Sequence, residues 1–391
     1  MGVRLGNGNW GVKASKLLAY NDASGMFFNK EFDFTRATTA TRVNKSGLIE
    51  SVAANVPRID FTDDTKGHLL LENSATNVSK NSENTSTWTY VEFGSGSAGT
   101  ITTGKTDMFG GTNAVQVDFP ADAENVAIRL GQVNTSITSG TVTQSVYIKL
   151  VESGSKILRL RGSGGDNITV NSTDFVRYTR TATRFGGEAF NVKLRPSQGT
   201  SNGGFSIILC HPQEEAGSFA TSYIPCTGSD TTRNVETCNG SGAAQDFNST
   251  EGVLYMETAA LKDDLTAREI QISDGSANNR VSMFLGSVSD RIRVEVKVGN
   301  ATAFNAFTSA IDIENFNKIA IKYKALDYEF YLNGSRFATQ HSQSLIFGAN
   351  TLNQLNFSRV GIGNLPFYGK VKEVRTYTTA LTEAELIALT T

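Results

Sequence analysis

Alternation of apolar and polar positions runs through much of the chain and predicts short β-strands. In RIRVEVKV, residues 291–298, the isoleucine and three valines alternate with four charged residues. Because successive side chains of a strand point to opposite faces, this pattern predicts one buried and one solvent-exposed face. KIAIKYK, residues 318–324, repeats the pattern. We therefore expect antiparallel sheets that each bury one face.

Two local signals predict where elements end near the C-terminus. Asn333-Gly334 lies between the predicted strand segments EFYL and SRFA. A two-residue type I′ hairpin turn favours this pair because both of its positions take positive φ. Thr382 and Glu385 have the spacing of a capping box ahead of Leu386, which predicts a short terminal helix.

The pattern divides the 391 residues into three zones. Residues 1–75 lack sustained alternation, and we interpret them as an irregular N-terminal arm. Residues 76–235 and residues 236–391 each carry a set of predicted strands spaced as in a sandwich. A polar, Gly-rich stretch at their boundary suits a connection between domains. The predicted fold is all-β, with two antiparallel β-sandwiches preceded by the arm.

Composition excludes several classes of protein. The formal net charge of −2 gives no basic field for nucleic acid, and no run approaches the roughly 18–20 apolar residues that cross a bilayer. We expect neither nucleic acid nor a membrane as a partner. Three cysteines, Cys210, Cys226 and Cys238, cannot form a disulfide framework, which favours assembly in a reducing cytosol.

None of the motifs that suggest catalysis or metal binding is complete. The segment GNGNWG, residues 6–11, lacks the preceding strand and following helix of a dinucleotide site. Cys210 and His211 are neighbours on a predicted strand, which indicates a buried thiol beside a surface imidazole. The acidic segments 31–35 and 327–331 each lack the third carboxylate of a glucanase strand, and we interpret Glu329 as solvent-facing. We predict no catalytic residue, no metal and no cofactor.

Two segments carry a family resemblance. Residues 32–73 contain ATRVN, GLIE, PRID and HLLLEN, and residues 213–225 read QEEAGSFATSYIP. Both resemble signatures of tailed-bacteriophage virion proteins of the head-fibre, capsid-decoration or tail-fibre type. The resemblance implies that residues 76–235 form a jelly roll akin to carbohydrate-binding modules. The matching positions of the first segment are Arg36, Thr41, Arg42, Asn44, Gly47, Ile49, Pro57, Arg58 and Gly67.

The last third resembles a concanavalin A-like, laminin-G-like sandwich. The resemblance is carried by YLNGSRF, residues 331–337, and by FYGKVKEVRTYTTALTEAELIAL, residues 367–389. Lys372 stands where the family commonly has Asp, which disfavours the calcium associated with some members.

These resemblances imply a non-enzymatic structural protein displayed on a virion and assembled in the host cytoplasm. Its expected partners are other virion proteins, copies of itself in a homotrimer, and host surface polysaccharide. Arg36, Arg42 and Arg58 are candidates for attachment to the virion, and ion pairing within the chain is an equally weighted alternative. A purely structural role and a polysaccharide depolymerase are the alternative functions.

Aromatic residues are the candidate sugar contacts, because an aromatic ring with a polar rim suits a sugar ring. The predicted contacts are Trp88, Tyr90, Phe367 and Tyr368, and Trp10 is a further candidate. The alternative is that each tryptophan fills a core or an interdomain corner.

Overall fold

The computed structural model describes residues 2–13, 16–20, 27–92, 99–121, 126–130, 137–161, 166–185, 190–194, 204–359 and 365–391. The first part of the chain forms short strands: β1 (Arg4–Gly6), β2 (Gly11–Lys13), β3 (Lys16–Tyr20), β4 (Phe27–Thr35), β5 (Ala40–Val43), β6 (Ile49–Val52), β7 (Arg58–Asp60), β8 (His68–Leu71) and β9 (Ala75–Asn77). The middle part follows a single 3₁₀ turn and forms β10 (Thr89–Glu92), β11 (Thr100–Lys105), β12 (Ala114–Phe119), β13 (Val126–Arg129), β14 (Ser139–Leu150), β15 (Lys156–Arg161), β16 (Asp166–Val170), β17 (Val176–Phe185), β18 (Asn191–Leu194) and β19 (Phe205–Ala216). The last part forms β20 (Thr231–Arg233), β21 (Thr237–Asn239), β22 (Glu251–Ala260), β23 (Arg268–Ser273), β24 (Arg280–Leu285), β25 (Ile292–Val298), β26 (Ala301–Phe307), β27 (Asn317–Lys324), β28 (Tyr328–Leu332), β29 (Ser335–Gln340), β30 (Gln354–Asn356), β31 (Gly369–Tyr377) and the helix α1 (Glu383–Thr390). The predicted all-β fold is confirmed.

The middle part is a sandwich of two five-stranded antiparallel sheets. Their strand orders are β10-β13-β18-β15-β16 and β11-β12-β19-β14-β17. Alternate residues of both sheets fill one core, among them Val117, Ile128, Leu160 and Ile207, each without exposed surface. The two-sheet arrangement predicted from strand spacing is therefore present in this zone.

The last part is a second sandwich, and its larger sheet also contains six strands of the first part of the chain, β1–β4, β7 and β8. Twelve strands form this sheet, with the central order β21-β4-β3-β1-β31-β22-β27-β28-β29 and with β2, β7 and β8 attached. It faces a five-stranded sheet of order β26-β25-β24-β23-β30. Leu5, Leu17 and Leu69 are fully buried in the core that they share with Leu254 and Val371.

Residues 1–75 therefore do not form the separate irregular arm that the sequence pattern predicts. Strands β1 and β8 both pair with β31, so the segment completes the C-terminal sandwich rather than standing apart from it. The physical reason is element length: strands of three to five residues bury apolar side chains without showing sustained alternation.

Local predictions near the C-terminus are confirmed. Asn333 and Gly334 have φ values of 47° and 80° and join β28 to β29. Helix α1 begins after Thr382, whose hydroxyl accepts a hydrogen bond from the Glu385 backbone N–H. In β25, Ile292, Val294 and Val296 are buried, as the alternation predicts, but Glu295 on the expected solvent face is buried too, where it pairs with Arg280.

The expected solvent face of β28 is wrong. Glu329 is only 5% exposed. Helix α1 packs on this side of the sheet, and Leu386 joins Tyr331 and Ala320 in a small core there. The Glu329 carboxylate is paired with the Lys322 ammonium at 3.4 Å. A strand pattern alone does not show that a later helix covers its polar face.

Thr382→Ala should loosen α1 without unfolding the sandwich. The substitution removes the side-chain oxygen that caps the helix, which typically costs about 1 kcal/mol. Hydrogen exchange of the Leu386 amide, which donates to the Thr382 carbonyl, should become faster. Thr382→Ser keeps the capping oxygen and should exchange as the wild type does. Equal exchange in both variants and the wild type would contradict the capping role.

The two sandwiches are joined by paired connections. Strand β9 pairs with β20, and the hairpin β5–β6 packs Ile49 against Tyr147 and Tyr223 of the middle zone.

None of the helices in the described ranges is long and apolar enough to span a bilayer.

Candidate functional site

Five buried charged side chains lie where the first part of the chain meets the end of the middle zone. We call Arg36, Arg58, Arg233, Glu72 and Glu236 the buried ion network. Arg36 and Arg58 both pair with Glu236, while Arg58 and Arg233 both pair with Glu72. Each of the five is at most 2% exposed. Buried charges need such partners because removing them from water is costly.

Arg58 is at the centre of this network. Its Nε donates to Glu236 at 2.8 Å, and its Nη2 donates to Glu72 at 2.8 Å. Its Nη1 donates to the Thr41 carbonyl at 2.9 Å and to the Ser222 hydroxyl at 2.7 Å. Burial opposes the charged guanidinium, but the two carboxylates outweigh burial and raise the pKa of Arg58.

The connector at residues 213–225 enters the same network. The Ser222 backbone N–H and hydroxyl donate to Glu72 at 2.8 and 2.6 Å. Burial alone would raise the pKa of the Glu72 carboxyl, but Arg233, Arg58 and these hydrogen bonds lower it to about 2. Residues 32–73 and 213–225, the two segments that carry the family resemblance, thus contact each other through Glu72, Arg58 and Ser222. These contacts connect the middle zone to the first part of the chain.

This geometry corrects the attachment role expected for Arg36 and Arg58. Both side chains have no exposed surface, so neither presents its guanidinium to a neighbouring subunit. Pairing within the chain, the alternative reading, accounts for them. Arg42 is different: its side chain is 28% exposed and pairs with Glu50 at 2.5 Å.

The expected sugar contacts are divided between core and half-buried positions. Trp88 is 4% exposed and its indole N–H donates to the Asn81 carbonyl, so its ring belongs to the middle core. Phe367 is 1% exposed in the C-terminal core. Both expectations are corrected, because a buried ring offers no face to a sugar. Tyr90 and Tyr368 are half-buried.

His211 also differs from its prediction. Cys210 is a free, buried thiol as expected, but His211 is buried as well. Its φ is 53°, and the pairing of β14 with β19 shifts register at this point. The resulting bulge turns the imidazole inward, where Nδ1 lies 2.8 Å from the Glu83 carboxylate.

The first part of the chain forms a groove in which aromatic and polar side chains lie close together. Of the aromatic candidates, only Trp10 lines it. We call it the aromatic groove; its volume is about 580 Å³. It is lined by Gly8, Trp10, Val12, Arg42, Asn44, Lys45, Ser46, Glu50, Ile59 and Phe61. Trp10 and Phe61 are half-buried and pack against the C-terminal core.

The turn GNGNWG sets the position of Trp10. Gly6 has φ +90°, and a Cβ there would lie 2.1 Å from the Lys372 carbonyl oxygen, so this approach requires glycine. The Trp10 indole N–H donates to the Lys66 carbonyl at 2.9 Å. The glycine pattern therefore has a structural role, which is to hold Trp10 at the groove.

The rim of the groove is polar. The Glu50 carboxylate accepts hydrogen bonds from Arg42 at 2.5 Å and from Asn44 at 3.3 Å. The Lys45 ammonium lies 5.4 Å from the centre of the Phe61 ring. An aromatic pair beside planar and charged hydrogen-bonding groups suits a polyhydroxylated ligand. In the part of the chain that the structure describes, no cluster of three His, Cys, Asp or Glu residues suits a metal ion.

Comparison with known proteins confirms the fold of the C-terminal zone. Residues 260–387 match the concanavalin A-like lectin/glucanases superfamily. This range extends from the end of β22 through most of α1, as the resemblance of the last third implies. No curated protein matches the sequence.

Several solved structures are similar at low identity. A Ruminococcus gnavus sialidase carbohydrate-binding domain bound to sialyllactose has 17% identity and a TM-score of 0.32, over 39% of this chain and 94% of its own. Domain 4 of a Geobacillus stearothermophilus arabinanase, in complex with arabinotriose, has 10% identity and a TM-score of 0.33, over 45% and 84%. Domains LG4-5 of mouse laminin α1 have 11% identity and a TM-score of 0.26, over 74% and 96%.

Proposed function

We propose that the protein is a non-catalytic glycan-binding protein displayed in several copies on the surface of a tailed-bacteriophage virion. The observation that carries glycan binding is the aromatic groove, in which Trp10 and Phe61 lie beside a polar rim. The virion half of the proposal rests on the resemblance of residues 32–73 and 213–225 to virion proteins.

The groove supplies both kinds of contact that a sugar chain needs. The C–H faces of a sugar ring pack on the Trp10 and Phe61 rings, which removes apolar surface from water. Its hydroxyl groups exchange hydrogen bonds with Arg42, Asn44 and Glu50. Because Trp10 is already held by its hydrogen bond to Lys66, little side-chain freedom is lost on binding.

Avidity supplies the strength of adhesion in this proposal. An open groove gives weak binding to one chain segment, but copies held on one particle engage a host polysaccharide at high effective concentration. The proposed partners are therefore other virion proteins, a second and third copy of this chain in a trimer, and host surface polysaccharide.

A purely structural role is the second candidate, and the buried ion network favours it. The signature residues Arg36 and Arg58 stabilise the junction between the sandwiches, so the signature by itself requires no glycan. Under this alternative the protein stabilises the capsid or tail through contacts with virion proteins.

Trp10→Ala should reduce glycan binding about tenfold or more, since buried aromatic anchors dominate such contacts. A glycan array of bacterial surface polysaccharides identifies the ligand, and calorimetry then compares the variants. Phe307→Ala removes an exposed aromatic ring from β26, away from the groove, and should leave binding unchanged. Silence of the wild type across the array would favour the structural role, and release of reducing ends would indicate a depolymerase.

A further inference from the structure

A second cavity lies at the junction of the two sandwiches, apart from the aromatic rings of the groove. We call it the junction cleft; its volume is about 230 Å³. Strands β5–β8 form one side, Tyr147 of β14 and Arg177 of β17 form another, and Lys370 of β31 closes a third. The cleft is smaller than the roughly 300–1,000 Å³ pockets of drug-sized ligands, so it suits a single small unit.

His68 is the buried polar group that the fold leaves unused in this cleft. Its side chain is 1% exposed, and neither ring nitrogen has a hydrogen-bond partner among the described residues. Burial lowers the pKa of His68 to about 4, so the imidazole is neutral near pH 7. A neutral imidazole offers one donor and one acceptor, and a buried polar group without a partner is costly.

Asp60 does not satisfy His68. The Asp60 carboxylate accepts hydrogen bonds from the backbone N–H groups of Val43 at 2.8 Å and Thr62 at 2.9 Å. Its nearer oxygen lies 3.7 Å from His68 Nε2, which is too far for a hydrogen bond. The two side chains are cross-strand neighbours on β7 and β8, so both face the same side of the sheet.

Two cations on other sides of the cleft, Arg177 and Lys370, also have nitrogen atoms that can donate hydrogen bonds to a ligand. The Arg177 guanidinium donates to Thr221 and Ser145, yet its Nε has no partner among the described residues. Among the described residues Lys370 forms no ion pair, whereas Lys372 on the same strand pairs with Asp64 and Glu257. Lys370 lies opposite Leu70 in the pairing of β31 with β8. His68 is two residues from Leu70 on β8 and therefore faces the same side of the sheet.

The charges that line the cleft leave a positive surplus. Glu72 is held by Arg58 and Arg233. Arg42 and Glu50 neutralise each other. The remaining charged groups are Arg177, Lys370 and Asp60, two cations against one anion. A ligand that matches this lining carries one negative charge together with groups that donate hydrogen bonds.

We propose that the junction cleft binds one sugar-acid unit of the hexuronate type. The ligand carboxylate lies between Lys370 and Arg177, its hydroxyl groups meet His68 and Asp60, and its ring contacts Leu70. Arg42 lines both cavities, but His68, Arg177 and Lys370 line only the junction cleft, so this proposal does not depend on glycan binding at the aromatic groove. A neutral sugar leaves the positive surplus unmatched, whereas a small inorganic anion has no ring to contact Leu70.

Histidine signals provide a direct test in the whole, unmodified protein. The chain has three histidines, so His68, His211 and His341 can be assigned by single substitution in ¹⁵N-labelled protein. Titration with D-glucuronate should shift the ring signals of His68 and leave those of His341 unchanged. Titration with D-glucose should shift neither. Equal shifts with glucose, or no shift of His68 at millimolar glucuronate, would overturn the proposal.

Lys370→Gln tests the cation without touching the buried network. It should weaken glucuronate binding about tenfold, the effect of losing one charge-assisted contact of about 1.4 kcal/mol. Lys372→Gln is the matched control on the same strand and face, because Lys372 pairs with Asp64 and Glu257 outside the cleft. Thermal unfolding verifies that both variants fold. Equal affinity of Lys370→Gln and wild type would overturn the assignment, and a glucuronate-containing oligosaccharide distinguishes a free acid from a polymer unit.

Discussion

Replacing Glu236 with alanine should destabilise the protein by about 3–5 kcal/mol, the cost of removing one partner from a buried ion pair. Glu236 has no exposed side-chain surface and pairs with both Arg36 and Arg58. Without it, Arg36 keeps only backbone carbonyl acceptors, and Arg58 retains Glu72 as its single carboxylate. Urea unfolding of the whole chain measures the loss.

Glu314→Ala is the matched control for this prediction. Glu314 pairs with Lys262 at 2.7 Å, but both side chains are about 40% exposed. Exposed pairs contribute at most about 1 kcal/mol, since water competes for both charges. If Glu236→Ala costs no more than Glu314→Ala, the buried ion network does not stabilise the fold.

Acidification should weaken the fold through Glu72. Its pKa is lowered from 4.5 to about 2, so its contribution is complete above about pH 4.5 and is lost as the pH falls toward 2. At about 1.4 kcal/mol per pH unit, this difference corresponds to about 3 kcal/mol. His68, with its pKa lowered from 6.5 to about 4, reduces stability in a higher window as the pH falls from 6.5 to 4.

A comparison with Glu72→Gln isolates the carboxyl from the other titrating groups. The difference in unfolding free energy between wild type and Glu72→Gln should be largest near neutral pH and should shrink between pH 4.5 and 2. Denaturant unfolding across this range measures it. A difference that stays constant with pH would show that protonation of Glu72 does not cause the loss of stability in acid.

Strand patterns predict the sandwiches better than they predict the first part of the chain. In β25 and β27 the alternation is long enough to give a strand and its buried face. In β1 and β7 only three residues are paired, and β1 has its partner β31 at the other end of the chain. The sequence near residue 5 carries no sign that Leu5 will lie beside Val374.

The candidate site is predicted less well, because aromatic residue types do not report burial. Trp88 is a predicted sugar contact and Trp10 a further candidate of the same residue type, yet Trp88 fills a core and Trp10 lines the aromatic groove. The signal that could have separated them is the glycine-rich turn around Trp10, which positions the ring at the surface. For His68, nothing local indicates burial, since its surroundings come from β7, β31 and the middle sandwich.

The pairing of the first strand with the last one affects the order in which the protein folds during translation. Val3 donates its backbone N–H to Thr376, 373 positions away, so the earliest strands leave the ribosome long before their partners exist. The middle sandwich has all its sheet partners within residues 89–216 and can fold while the rest is being made. Until β31 is synthesised, β1 and β8 remain open edges that another nascent chain can pair with.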